Sequence, residues 1–233
     1  MPVLNPSDPS VDVKSPAKLP DGTVLSPPEE VLADPSRVTR GKGAAEALLA
    51  RKRSRMADRL IPAWHRNGRL LDIGCGSYPL FLSQTSFRER HGIDRVPHSA
   101  TEECMSRGIY LVSQDLESNP CLPYRDKSFT VVTMLAVFEH LEPTLLGTLM
   151  SEIRRVLEPG GLYVMTTPAG WTSGLLRLMA RLQLLSSEEI DEHKHQYRHR
   201  EIREVLTGGG FHPARIELGH FELFMNNWGV ATK

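Results

Sequence analysis

The residues able to do chemistry in this chain fall in four short runs and one histidine cluster. The first run is Arg69-Leu-Leu-Asp-Ile-Gly-Cys-Gly-Ser-Tyr-Pro-Leu-Phe81. Leu70, Leu71 and Ile73 read as a buried strand, and Gly74 and Gly76 let the backbone turn sharply and come close to a ligand. The helix that opens next aims its first N–H groups at that ligand, an arrangement suited to a polar, nucleotide-like molecule. The second run ends in Asp94-Arg95, and the third is Asp115-Leu116. The fourth holds Glu139-His140, a paired acid and base beside an expected strand end. Histidine titrates near neutrality, so His140 is the first choice for a general base and His195 the second. His193, His195 and His199 lie close together, but no cysteine joins them and the acids only flank them. That is poor metal spacing, and we expect no metal.

Strands and helices must place these runs. Residues 43–64 carry Leu48, Leu49, Met56 and Leu60 at helical spacing, bounded by Pro62 and Gly68. The basic run Arg51, Lys52, Arg53 and Arg55 reads as its solvated face. A helix is expected from Leu80 to about Arg88, a strand over 91–94, a helix over 99–107 and a third strand over 109–112. Residues 129–135 are a continuous apolar run, as a strand covered on both faces should be. Leu145, Leu146, Leu149, Ile153, Val156 and Leu157 share one helical face, and Glu158, Pro159, Gly160 and Gly161 stop that helix. A fifth strand spans 162–167, with helices over 171–185 and 200–206. Strands over 212–219 and 221–232 are expected to meet in a tight turn at Gly219-His220. Alternation of strand and helix gives a doubly wound α/β sheet with right-handed crossovers. Ligands bind at the carboxyl ends of such strands, where Gly74, Gly76, Asp94, Asp115 and Leu135 all fall.

Composition narrows the classes. The 233 residues suit one domain with a substantial core. The 28 basic and 28 acidic residues cancel, which gives no electrostatic case for nucleic acid. No apolar run is long enough for a membrane span. Cys75, Cys104 and Cys121 are three in number and lack metal spacing, so reduced thiols in a cytoplasmic protein are expected. Cys75 reads as a small residue packed into the glycine turn. Residues 1–39 are rich in Pro, Asp and Ser and read as a disordered tail, because they bury too little apolar surface to offset the entropy of ordering.

Two stretches carry a family resemblance. Asp72, Gly74 and Gly76 are similar to motif I of the class I S-adenosylmethionine (SAM) methyltransferases. The run Val156-Leu-Glu-Pro-Gly-Gly-Leu-Tyr-Val164 resembles the segment before their fifth strand, and Leu135-Ala-Val-Phe-Glu-His-Leu141 resembles the segment after their fourth. The whole resembles the type 11 group of these methyltransferases. Three departures stand out: Tyr78 replaces a frequent third glycine, Pro79 follows it, and Thr130 replaces a common Asp. A dinucleotide turn wants Gly-x-Gly-x-x-Gly against a pyrophosphate, and Pro79 occupies its last position. SAM has no phosphate and tolerates the bulkier turn.

The resemblance implies a Rossmann-like, mostly parallel seven-stranded sheet with an antiparallel C-terminal hairpin. It covers about residues 70–233, in a single domain from 40 to 233: an N-terminal helical lid over 40–68 and a core over 69–233. It further implies SAM held by Asp72, Gly74, Gly76, Tyr78, Asp94, Arg95, Asp115, Leu116 and Leu135. The two oxygens of Asp94 match two ribose hydroxyls, Arg95 lies along the adenine, and Asp115 and Leu116 meet the adenine amino group and ring. The acceptor it implies is a small molecule or a sugar-containing metabolite, and methyl transfer is an in-line displacement. Two rival readings stay open: a nicotinamide-dependent oxidoreductase, and a catalytically silent binding module of the same fold.

Overall fold

The computed structural model describes residues 44–169, 197–222 and 224–233. The 1–39 tail and the helix expected over 171–185 lie outside them, as do His193 and His195. Helix α1 (Ala44–Leu60) leads through a 3-10 turn to β1 (Arg69–Ile73) and α2 (Leu80–Gln84). Next come β2 (Glu89–Asp94), α3 (His98–Ser106), β3 (Ile109–Ser113) and β4 (Phe129–Leu135). Helix α4 (Pro143–Val156) follows, then β5 (Leu157–Pro168), α5 (His199–Gly208), β6 (Ile216–Phe221) and β7 (Asn226–Thr232).

The seven strands pair in the order β3-β2-β1-β4-β5-β7-β6. The first five in that order are parallel, whereas β7 runs antiparallel to β5 and to β6. This is the doubly wound sheet with an antiparallel C-terminal hairpin that the sequence implies.

Alternation along each strand explains why both faces are covered. Leu71, Ile73, Val132, Met134, Tyr163 and Met165 point to one core, against Leu146, Leu149, Met150 and Ile153 of α4 and Ile202 and Leu206 of α5. The intervening Leu70, Val131, Leu162 and Val164 point to the other, against Ala57 of α1, Phe81 and Leu82 of α2, and Cys104 of α3. The apolar face read for α4 is the buried one: Leu146, Leu149, Met150, Ile153 and Val156 are fully enclosed. Each such side chain contributes about 1.5–3 kcal/mol of burial free energy. Helix α1 therefore belongs to a sheet-covering layer. Among the described residues, no helix is long and apolar enough to cross a membrane.

Several boundaries differ from expectation. Helix α1 ends at Leu60 rather than near Trp64, and β5 already begins at Leu157, so Glu158, Pro159, Gly160 and Gly161 lie inside that strand rather than ahead of it. Helix α2 stops at Gln84, not near Arg88. Thr85 leaves it in extended backbone because its hydroxyl donates to Asp58 Oδ1 at 2.7 Å, tying the helix end to α1. The last two strands also turn later than expected. Gly219 sits inside β6, directly across from Trp228, and the turn is made at 222–225. A Cβ on Gly219 would stand 2.5 Å from the Trp228 ring, so this glycine serves close approach rather than turning.

Candidate functional site

The glycine turn follows β1 at the carboxyl edge of the sheet, where strand order reverses between β1 and β4. Its two glycines meet different demands. Both are left-handed, Gly74 at φ +74° and Gly76 at φ +70°. At Gly74 a Cβ would come 2.2 Å from a Val137 methyl, so the segment after β4 packs directly on the turn. At Gly76 a Cβ would meet nothing closer than the Tyr78 nitrogen, at 4.0 Å. One glycine is closed by the protein's own packing. The other leaves its backbone face open.

Asp94 caps β2 beside that open face. Its Oδ2 accepts the Gly76 N–H at 2.8 Å and its Oδ1 accepts the Arg95 N–H at 2.6 Å. Two backbone donors thus fix the carboxylate. Arg95 extends outward, its guanidinium 3.9 Å from Asp115 Oδ2. Asp115 also accepts the Glu117 N–H at 3.0 Å, so it forms a local turn as well as facing the site. Leu116 is buried in the core beneath it, and Leu135 is half-buried at the end of β4. Tyr78 is half-buried and packs with Leu80 and with Ala50 of α1.

Asp72 lies below the turn, almost wholly buried, and accepts from the Thr133 hydroxyl at 2.6 Å. Burial pushes its pKa up to about 7; the Thr133 bond opposes this and the Asp94 charge adds to it. Burial likewise pushes the Cys75 thiol well up, with Asp72 and Asp94 adding to the shift, so Cys75 is an unreactive packing residue. Its sulfur fills the space over Gly92, where a Cβ would come within 2.6 Å.

The segment after β4 forms the other wall. Ala136 is left-handed at φ +57°, a strained setting for a residue with a side chain. Its N–H donates to the Thr166 carbonyl at 2.9 Å, which holds the reversal against β5. A 3-10 turn, Phe138–His140, follows. Glu139 is buried and accepts from the Thr167 hydroxyl at 2.9 Å, while His140 is half-buried beside it.

The residues read from sequence at the ends of β1, β2, β3 and β4 thus lie along one edge of the sheet; His195 is outside the described residues. Sequence reasoning missed Thr133, Val137 and Thr167, which support Asp72, Gly74 and Glu139. A hydroxyl inside an otherwise apolar strand was the available signal for Thr133.

A family model described as "Methyltransferase domain" matches residues 71–165. Residues 71–165 are thus similar to a methyltransferase domain. Solved structures agree at the level of fold. A "SAM dependent methyltransferase" from Archaeoglobus fulgidus is 17% identical, with 77% of this chain and 92% of that one covered at a TM-score of 0.58. A possible exported protein from Bordetella parapertussis is 17% identical, with 81% and 69% covered at a TM-score of 0.60. A Haemonchus contortus phosphoethanolamine N-methyltransferase, solved with phosphomonomethylethanolamine and S-adenosylhomocysteine, is 16% identical, with 78% and 53% covered at a TM-score of 0.57. No curated protein is similar enough in sequence to count as a match. The carboxyl edge of the sheet described above is therefore where a ligand has to be sought.

Proposed function

We propose that the chain is a methyltransferase that moves the methyl group of SAM to a small-molecule or sugar-containing acceptor. The observation that carries this reading is the pairing of an open left-handed Gly76 with a backbone-fixed Asp94 carboxylate. A ligand can lie against the bare backbone there while its hydroxyls donate to Asp94. Gly74 and Asp72 shape the turn beneath, and Tyr78 and Leu135 flank it. Arg95, Asp115 and Leu116 line the far end, toward the adenine. The three cysteines are free thiols, which favours a cytoplasmic setting.

When bound, SAM supplies an already activated methyl group. The chain's work is then mainly to hold two partners in line, and positioning of this kind supplies roughly 7–11 kcal/mol. His140 takes the acceptor's proton where one must leave, with Glu139 and Thr167 fixing its turn; His195 is the alternative base.

Thermal shift with SAM, S-adenosylhomocysteine, NAD and NADP in separate wells tests the cofactor site. At about 100 times its dissociation constant a ligand adds roughly 2.7 kcal/mol. For a chain of this size that raises Tm by about 5–10 °C. We expect a shift with SAM and S-adenosylhomocysteine alone. A shift with a nicotinamide cofactor instead would overturn the reading. Release of S-adenosylhomocysteine only when an acceptor is present separates an enzyme from a silent binding module, and turnover surviving His140→Ala would remove His140 as the base.

A further inference from the structure

The turn between β6 and β7 is built from residues that resist its shape. Glu222 and Phe224 are both left-handed, at φ +52° and +66°, and neither is glycine. For a bulky residue such as Phe this is a genuine outlier. Such strain persists where the surrounding structure enforces it, and it gathers at ligand sites. Phe224 is also 65% exposed, one of the few large apolar side chains on the surface.

Phe224 does not stand by itself. Its ring meets His220 edge-on, with centroids 5.4 Å apart at 66°. His220 in turn stacks on His199, with centroids 4.2 Å apart at 21°. Three rings from β6, the turn and the first residue of α5 thus form one aromatic ladder. Burial lowers the His199 pKa, and the neighbouring His220 lowers it further, so the His199 ring is neutral at pH 7. Polar groups flank the ladder. Glu222 Oε2 accepts from Asn226 Nδ2 at 2.6 Å, and Lys52 of α1 places its ammonium 3.4 Å from Glu222 Oε1.

The ladder lies on the reacting side of the sheet. Asn226 opens β7 and pairs with Pro168, the last residue of β5, so the turn stands at the carboxyl edge. The Met225 carbonyl accepts the Ala169 N–H at 2.8 Å, joining the turn to the end of β5. Two residues earlier, Thr167 holds Glu139 beside His140.

We propose that the His199–His220–Phe224 ladder is the acceptor subsite, and that it takes a pyranose ring. The axial C–H bonds of a sugar present a faintly positive, apolar face, which suits the negative face of an aromatic ring. Hydroxyls at the ring edge then meet Asn226 and Lys52, both held by the buried Glu222 carboxylate. Such a mix of aromatic platform and a few placed polar groups is what fixes a small ligand's orientation. The proposal rests on the methyl-transfer reading above and narrows its acceptor.

Saturation-transfer NMR on the full chain with S-adenosylhomocysteine present tests it. The probes are methyl α-D-glucopyranoside, methyl α-D-mannopyranoside and methyl α-L-rhamnopyranoside, against sorbitol, which has the hydroxyls without the ring, and catechol, which has an aromatic ring. At least one pyranoside is expected to bind at least about tenfold tighter than sorbitol and catechol. Phe224→Gly is expected to abolish that preference while Tm holds or rises, because glycine relieves the φ +66° strain. Phe224→Asn, which tolerates the left-handed region, serves as the second variant. Pyranosides no tighter than sorbitol, catechol binding in their place, or an unchanged preference in both variants would overturn the subsite. The SAM thermal shift should be untouched in either variant, and its loss in the wild type would count against the methyl-transfer reading rather than against the ladder.

Discussion

The Gly76 N–H donates to Asp94 Oδ2 at 2.8 Å and so joins the turn after β1 to the tip of β2. Residues 18 positions apart in sequence form one rigid corner. Two backbone donors, the Gly76 and Arg95 N–H groups, fix the Asp94 carboxylate at this corner. The corner is assembled before any ligand arrives, which lowers the ordering cost of binding.

Removing that carboxylate tests the corner. Asp94→Ala deletes the acceptor for the ligand and the partner of the Gly76 N–H together. Hydrogen bonds to charged groups contribute about 1.5–3 kcal/mol, so SAM affinity should fall roughly 10- to 150-fold. Isothermal titration with SAM checks this. Asp94→Asn, which keeps one acceptor oxygen, should lose less. Equal affinity in wild type and Asp94→Ala would place the ribose elsewhere.

Gly74→Ala and Gly76→Ala should fail for different reasons. At Gly74 the new methyl runs into Val137 at 2.2 Å and also pays the left-handed penalty. Overpacking of this kind costs about 1–3 kcal/mol, so the loss should show as a lower midpoint in urea. Adding Val137→Ala should recover part of it, which a double-mutant cycle measures directly. At Gly76 there is space for the methyl. Its penalty is backbone strain, about 1–2 kcal/mol, together with a blocked ligand face, and Val137→Ala should rescue nothing.

Asp72 gives the domain a pH dependence of definite sign. Its folded pKa is raised by burial to about 7 from the ordinary 3.8. Between those values the folded state keeps a proton that the unfolded state has released. Stability therefore falls as pH rises from about 4 to about 7 and levels off above that. Full expression of the shift amounts to roughly 4 kcal/mol. Urea unfolding of wild type and Asp72→Asn from pH 4.5 to 8 should show a downward slope in the former that is absent from the latter. Parallel slopes would mean that Asp72 stays ionised in the fold.

The parallel core was legible because strands covered on both faces read as unbroken apolar runs, and β4 was placed to the residue. Gly74, Gly76 and Asp94 were legible because their chemistry is local. The supporting contacts were not. Val137 meets Gly74 across 63 positions, and no periodicity announces such a meeting. Thr130 read as a departure from a common Asp. In the fold its hydroxyl donates to the His65 carbonyl at 2.8 Å, and its side chain fills the space over Gly68. The aromatic ladder was hidden for the same reason, since His199 and His220 come from a helix and a strand 21 positions apart.

Gly219 shows how a correct local rule can give the wrong element, and it yields the last prediction. Read alone, Gly219-His220 is a turn. In the sheet, Gly219 faces Trp228, whose ring takes the volume a side chain would need. Gly219→Ala should then cost about 1–3 kcal/mol by overpacking, although its backbone is ordinary strand. A smaller partner should relieve it: with Trp228→Leu in place, alanine at 219 should be neutral or stabilising, because strand interiors favour alanine over glycine. Chemical unfolding of the two single variants and the double variant closes the cycle. If Gly219→Ala were as harmless beside Trp228 as beside leucine, the close approach of the indole ring would not be what keeps position 219 a glycine.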